Sequence, residues 1–139
     1  MGVAAHLAED AAARFLRYVR FDTQSDEDST SYPSTAKQLD LLRVLADELK
    51  EIGVADAAID EHGYVTGTIP ATVDHDVPTI AFFAHVDTAR EVTGANVQPQ
   101  RIRYKGGDIV LGDSRQVIRP SKTSANSRSL GPRFPIQTS

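Results

Sequence analysis

His85 and Asp87 stand two residues apart at the end of the most apolar run in the chain, Thr79-Ile80-Ala81-Phe82-Phe83-Ala84-His85-Val86-Asp87-Thr88. A neutral imidazole is a good zinc ligand, and a carboxylate beside it can ligate in turn or can orient the ring through a hydrogen bond. On a strand, positions two apart share a face, so both side chains are expected in one crevice with Val86 turned back. One His-x-Asp is a weak motif, and a strand that simply ends in polar residues accounts for it equally well. Asp74-His75-Asp76 also has metal-binding residue types, but three polar residues at a loop tip read as solvated. The acids Asp26, Glu27 and Asp28 lie on a flexible segment with nothing to fix a cation geometry. His6 reads as a solvated helix residue and His62 as an exposed turn residue. Gly106-Gly107 lacks both the Gly-x-Gly-x-x-Gly spacing and the helix that should follow, which argues against a nucleotide loop. With no cysteine in the chain, any metal must be held by His and carboxylate.

The elements that must position His85 and Asp87 follow from the apolar patterns. Residues 79–88, led in by Pro78 and closed by Thr88 and Arg90, read as a buried strand. Its lack of alternation predicts cover on both faces, as in a parallel or mixed sheet flanked by helices. Ligand sites in such sheets gather beyond the carboxyl ends of the strands, where His85 and Asp87 fall. A helix is predicted over residues 3–21, with Ala12, Phe15, Leu16 and Val19 as its apolar stripe. Residues 22–32 read as a polar linker in an exposed loop. A second helix is predicted over 35–52, opened by a Thr35-x-x-Gln38 capping box and closed by Gly53. Leu39, Leu42, Ala46, Leu49 and Ile52 are its expected core face. Strands are expected at 57–60 and 64–69 about a turn at 61–63, with Gly67 marking a bulge or a close backbone approach. A hairpin is expected from 101–104 and 108–111 about Lys105-Gly106-Gly107.

Composition sets the outer limits. The chain has 139 residues, 40% apolar and 24% charged, which suits one small soluble domain. No apolar run approaches the roughly 20 residues of a membrane span. The amino terminus has Glu9 and Asp10 and no apolar core of the secretory kind, so the cytoplasm is expected. Residues 115–139 hold five basic residues and no acid in a chain of net charge −4. That shift marks a boundary. Five scattered charges with a single aromatic, Phe134, are a weak footprint for nucleic acid, and no nucleic-acid or membrane partner is expected.

Several stretches in order carry a family resemblance. Ala84-His85-Val86-Asp87-Thr88 resembles the metal-binding strand of the tripeptide aminopeptidases, members of the cocatalytic-zinc exopeptidase family. Phe15-Leu16-Arg17-Tyr18-Val19 with Asp22-Thr23-Gln24-Ser25 is similar to that family's amino terminus, and Pro33-Ser34-Thr35 to its next segment. Tyr104-Lys105-Gly106-Gly107-Asp108-Ile109 and Gln116-Val117-Ile118 resemble the pieces beyond the metal strand. The resemblance runs from about residue 8 to 121.

It implies an α/β fold: the amino-terminal portion of a zinc-exopeptidase catalytic domain, with helices packed on a mixed sheet. That portion is expected to be incomplete, occupying residues 1–121, with an irregular tail over 122–139. It implies two zinc ions that lower the pKa of a bound water and polarise the scissile carbonyl of a short peptide. His85 is carried over as a zinc ligand and Asp87 as the catalytic carboxylate beside it, which orients His85. The bridging aspartate, the glutamate base and the other ligands have no counterpart before residue 121. The chain alone is therefore expected to bind zinc weakly if at all, to hydrolyse no peptide and to be poorly soluble. The tail reads either as out-of-frame or replaced sequence or as a natural disordered tail. A small non-catalytic α/β binding module, or a gene remnant, is the other reading of the chain.

Overall fold

A computed structural model describes residues 2–111, 116–119 and 136–137. Helices α1 (Val3–Tyr18) and α2 (Gln38–Glu51) are followed by strands β1 (Ala58–Ile59), β2 (Val65–Thr66), β3 (Gln100–Arg101), β4 (Ile109–Leu111), β5 (Gln116–Ile118) and β6 (Ile136–Gln137). The chain is thus mixed α/β. It divides into two units, one from the described residues of Met1–Arg20 and Ala95–Ser139 and one formed by Phe21–Gly94.

The Phe21–Gly94 unit is built on α2. Leu41, Leu42 and Ala46 are buried along one face, and the helix packs on both β1 and β2. Its carboxyl end closes in a Schellman arrangement. The Gly53 N–H donates to the Lys50 carbonyl at 3.0 Å and the Val54 N–H to the Leu49 carbonyl at 2.9 Å. Gly53 takes φ +101°, and the buried Val54 beyond it seals the turn. The amino end departs from the expected capping box. Thr35 Oγ1 donates to the Gln24 carbonyl at 2.8 Å, while Gln38 Nε2 reaches Thr35 Oγ1 and Ser34 Oγ at 3.1 and 3.0 Å. Thr35 thus serves a distant carbonyl, and no side chain caps the first turn. The core stripe is rotated from the expected one: Leu41 is buried, and Ile52, at the very end, is 62% exposed.

β1 and β2 form an antiparallel pair, Ala58 opposite Thr66 and Ile59 opposite Val65, shorter than the expected strands. Asp60 organises their turn, accepting the His62 and Tyr64 N–H groups on Oδ1 at 2.9 and 2.8 Å. Gly63 sits in that turn at φ +85°, and a Cβ there would lie 3.2 Å from Pro33 Cδ and 3.4 Å from Leu42 Cδ1. At Gly67 a Cβ would lie 2.5 Å from Val54 Cγ1, the close approach its position suggested. His62 and His75 are exposed as expected, and His62 meets the Tyr32 ring edge-on at 6.1 Å.

The other unit contains α1 and β3–β6. No α1 residue is buried, and Phe15 is half exposed although it lies on the expected stripe. Glu9 on α1 and Arg101 on β3 form a two-pronged ion pair, with N–O distances of 2.6 and 2.7 Å. The hairpin expected between 101–104 and 108–111 does not form. β3 pairs antiparallel with β6, and β4 pairs antiparallel with β5. Gly106 and Gly107 both have positive φ as a turn requires, but Tyr104 donates its hydroxyl to the Gly107 carbonyl and the chain leaves the ladder. Among the described residues the strands form three separate pairs, where one mixed sheet was expected. The expectation of an irregular tail over 122–139 lies outside the described residues, apart from β6.

Residues 79–88 depart furthest from expectation. Ile80, Phe82 and Phe83 are 77%, 95% and 93% exposed, so the run is not a buried strand. A strand exists only through its neighbours. Among the described residues this run makes a single bridge, Thr88 with Gln24, in parallel register.

Two outcomes follow. Gly63→Ala combines a positive φ with a tight contact and should cost roughly 1–2 kcal/mol, measured as a lower urea midpoint. Replacing both Phe82 and Phe83 by Ser should lower light scattering by the purified chain and leave the circular dichroism of α1 and α2 in place, because these rings contribute to surface and not to core.

Candidate functional site

His85 and Asp87 are brought together, but on an exposed segment and not in the crevice of a buried strand that their spacing suggested. His85 Nδ1 lies 2.9 Å from the Asp87 carbonyl oxygen and 3.2 Å from Asp87 Oδ1. Both partners are acceptors, so the hydrogen bonds require the proton on Nδ1. In the neutral ring the lone pair is then on Nε2, the arrangement in which an imidazole ligates a metal while a carboxylate fixes its ring. The His85 side chain is 84% exposed, that of Asp87 is about half exposed, and Val86 between them is half-buried.

A catalytic zinc site takes about three protein ligands. His85 meets that requirement once, and Asp87 already faces the ring's other nitrogen. Among the described residues no group of three or more His, Cys, Asp or Glu side chains comes together. These residues fit one ligand position and do not by themselves compose a zinc centre. The Asp74-His75 and Asp26-Glu27-Asp28 stretches add nothing. Asp74 and His75 pair with each other at 3.6 Å, and Glu27 and Asp28 share Arg90 at 3.6 Å each.

The segment carrying the pair is tied down on its carboxyl side. The Thr88 N–H donates to the Thr23 carbonyl at 3.1 Å. The Thr88 carbonyl accepts both the Ser25 N–H and the Ser25 hydroxyl, at 2.9 and 3.0 Å. Thr23 is 3% exposed, so residues 22–25 are no exposed linker, as the polar composition of 22–32 suggested. Asp22 anchors this stretch. Its Oδ2 accepts from Lys37 Nζ at 2.9 Å and its Oδ1 from the Gln24 N–H at 3.1 Å. The Lys37 ammonium foremost, and then the Gln24 N–H, hold the Asp22 carboxyl below the usual aspartate range, against the opposing effect of partial burial. Gly94 closes over it, since a Cβ there would lie 2.8 Å from Asp22 Oδ1. No apolar period marks residues 22–25. Their one signal in the sequence was the family resemblance of Asp22-Thr23-Gln24-Ser25.

Comparison with known proteins agrees with that resemblance. No protein-family model matches the chain. Among curated proteins it is 56% identical over 110 residues to a peptidase T from an Exiguobacterium species, covering 78% of this chain and 27% of that protein. It is 51% identical over 117 residues to a peptidase T from Geobacillus thermodenitrificans, covering 84% and 28%. It is 55% identical over 112 residues to a peptidase T from Bacillus subtilis, covering 80% and 27%. The matched stretch is therefore peptidase sequence. The chain belongs to the peptidase T family, and it spans little more than a quarter of the length of these relatives.

The Asp22–Lys37 pair carries a pH dependence whose sign is fixed. A carboxyl with its folded pKa depressed stabilises the fold above its unfolded value of about 3.9. That contribution is lost as pH falls from there through the folded pKa. Thermal melts of the parent should therefore fall more steeply over this acid range than those of Asp22→Asn, which should already melt lower at neutral pH.

Proposed function

We propose that this chain supplies part of the site of a zinc-dependent tripeptide aminopeptidase, an enzyme that releases the amino-terminal residue of tripeptides. The reading is supported by one observation above all: a chain about half identical to peptidase T holds His85 with its Nδ1 on Asp87 and its Nε2 available. In this reading His85 is one ligand of a two-zinc centre. Asp87 holds the ring's orientation and raises its basicity as a ligand. The remaining ligands and the general base belong to sequence that the matched quarter of the relatives does not include. Residues 1–121 are the truncated amino-terminal part of the catalytic domain, residues 122–139 add no part of the site, and the cytoplasm is where the chain works. No helix among the described residues is long and apolar enough to cross a membrane.

One imidazole is not a zinc centre, so the isolated chain should be inactive. Purified chain incubated with a tripeptide and zinc should release no amino-terminal residue above the blank. Calorimetric titration should give only weak zinc binding, reduced further in His85→Ala. Sub-micromolar zinc affinity that depends on His85, or tripeptide hydrolysis by the chain alone, would overturn the proposed inactivity.

A further inference from the structure

We propose that Gln24 is a positioning residue for the His85–Asp87 pair, clamping the backbone that leaves Asp87; this rests on reading that pair as part of the peptidase site. The side-chain amide of Gln24 reaches across from the stretch after α1. Its Nε2 donates to the Arg90 carbonyl at 2.8 Å and to the Val92 carbonyl at 3.2 Å. Its Oε1 accepts from Lys37 Nζ at 3.3 Å. These partners determine which way the amide points. Turned over, it would set its oxygen against two carbonyls and its NH₂ against an ammonium, with no acceptor on either side. Lys37 is held in turn by Asp22, whose other oxygen accepts the Gln24 backbone N–H. Gln24 is thus fixed at both ends, and it presents two donors in a fixed fork to alternate carbonyls of residues 90–92.

The placement matters because of what precedes those carbonyls. His85 and Asp87 bond within the segment itself, through a side-chain contact and a backbone carbonyl. The Asp87 carbonyl that accepts from His85 Nδ1 belongs to the peptide unit whose nitrogen is Thr88 N, and that N–H is bonded to Thr23. Turning the 88–92 backbone therefore turns the acceptor that selects the His85 tautomer. Thr23 holds this peptide plane directly, Ser25 holds the next one through the Thr88 carbonyl, and Gln24 holds the backbone that follows through the Arg90 and Val92 carbonyls. Of these, Gln24 reaches furthest past the bridge, to the carbonyls of the second and fourth residues after Thr88. A role confined to general stability would leave the tautomer alone, whereas a positioning role moves it.

The test uses the whole chain without metal or peptide, in two variants. Gln24→Ala removes the side chain. Gln24→Glu keeps its length and the Lys37 contact but removes both N–H donors. Amide exchange at Ser25 and Thr88 should become about tenfold faster in both. The imidazole ¹⁵N spectrum of His85 should change from the Nδ1–H form to a mixture of tautomers, while amides in α2 keep their protection. Unchanged Thr88 exchange and an unchanged His85 tautomer in both variants would overturn the assignment. So would loss of protection throughout α2 in both, which would make Gln24 a general structural residue. A zinc or tripeptide assay that refuted the proposed enzyme would leave these readouts unaffected, so the two ideas fail separately.

Discussion

The bridge between residues 23–25 and Thr88 is the constraint on which the site depends. It joins groups 63 residues apart in sequence, and closing a loop of that size costs chain entropy that a few hydrogen bonds must offset. They do so because the donors and acceptors are arranged to satisfy one another. Thr88 gives its N–H to one side and its carbonyl to the other, and the stretch opposite is fixed by Asp22 and Lys37. Through this tie the Asp87 peptide that His85 bonds to is held against the 22–25 stretch.

The apolar run that leads into the site obeys a different logic. Thr79 to Ala84 has the composition of a strand covered on both faces, yet Ile80, Phe82 and Phe83 stand in solvent. Exposed runs of uncharged β-branched and aromatic residues with unpaired backbone invite pairing with other chains. α2 presents the opposite case, where Leu41, Leu42 and Ala46 meet the β1–β2 pair formed by the residues that follow. The contrast lies in whether the partner is close in sequence.

That contrast also explains what could be read in advance. α2, its Gly53 cap, the Asp60–Gly63 turn and the close approach at Gly67 depend on neighbours within a few residues or a few turns, and pattern and turn chemistry reveal them. The co-projection of His85 and Asp87 was legible for the same reason, being an i, i+2 relation. Strand pairing was not. Residues 108–111 were expected to pair with 101–104, and β4 pairs with residues 116–118 instead. Thr35 looked like a helix cap, but α2 begins at Gln38, and the Thr35 hydroxyl donates to the Gln24 carbonyl and accepts from Gln38 Nε2. Asp22 to Ser25 looked like solvated linker because polar residues that bury their groups in mutual hydrogen bonds have the same composition as those that bury nothing. The peptidase resemblance was legible as a series of short matches, none decisive singly.

The local character of the α2 and β1–β2 assembly has a kinetic consequence. Helix, cap, turn and hairpin all fall between residues 34 and 68, so their contacts have low sequence separation and small loops to close. Topologies dominated by such contacts form fast, whereas contacts between distant segments form late. On a ribosome, this subassembly is complete in sequence before Thr88 has been synthesised. The platform that carries Lys37 and Thr35 is therefore expected to precede the segment it receives, with residues 88–92 docking late.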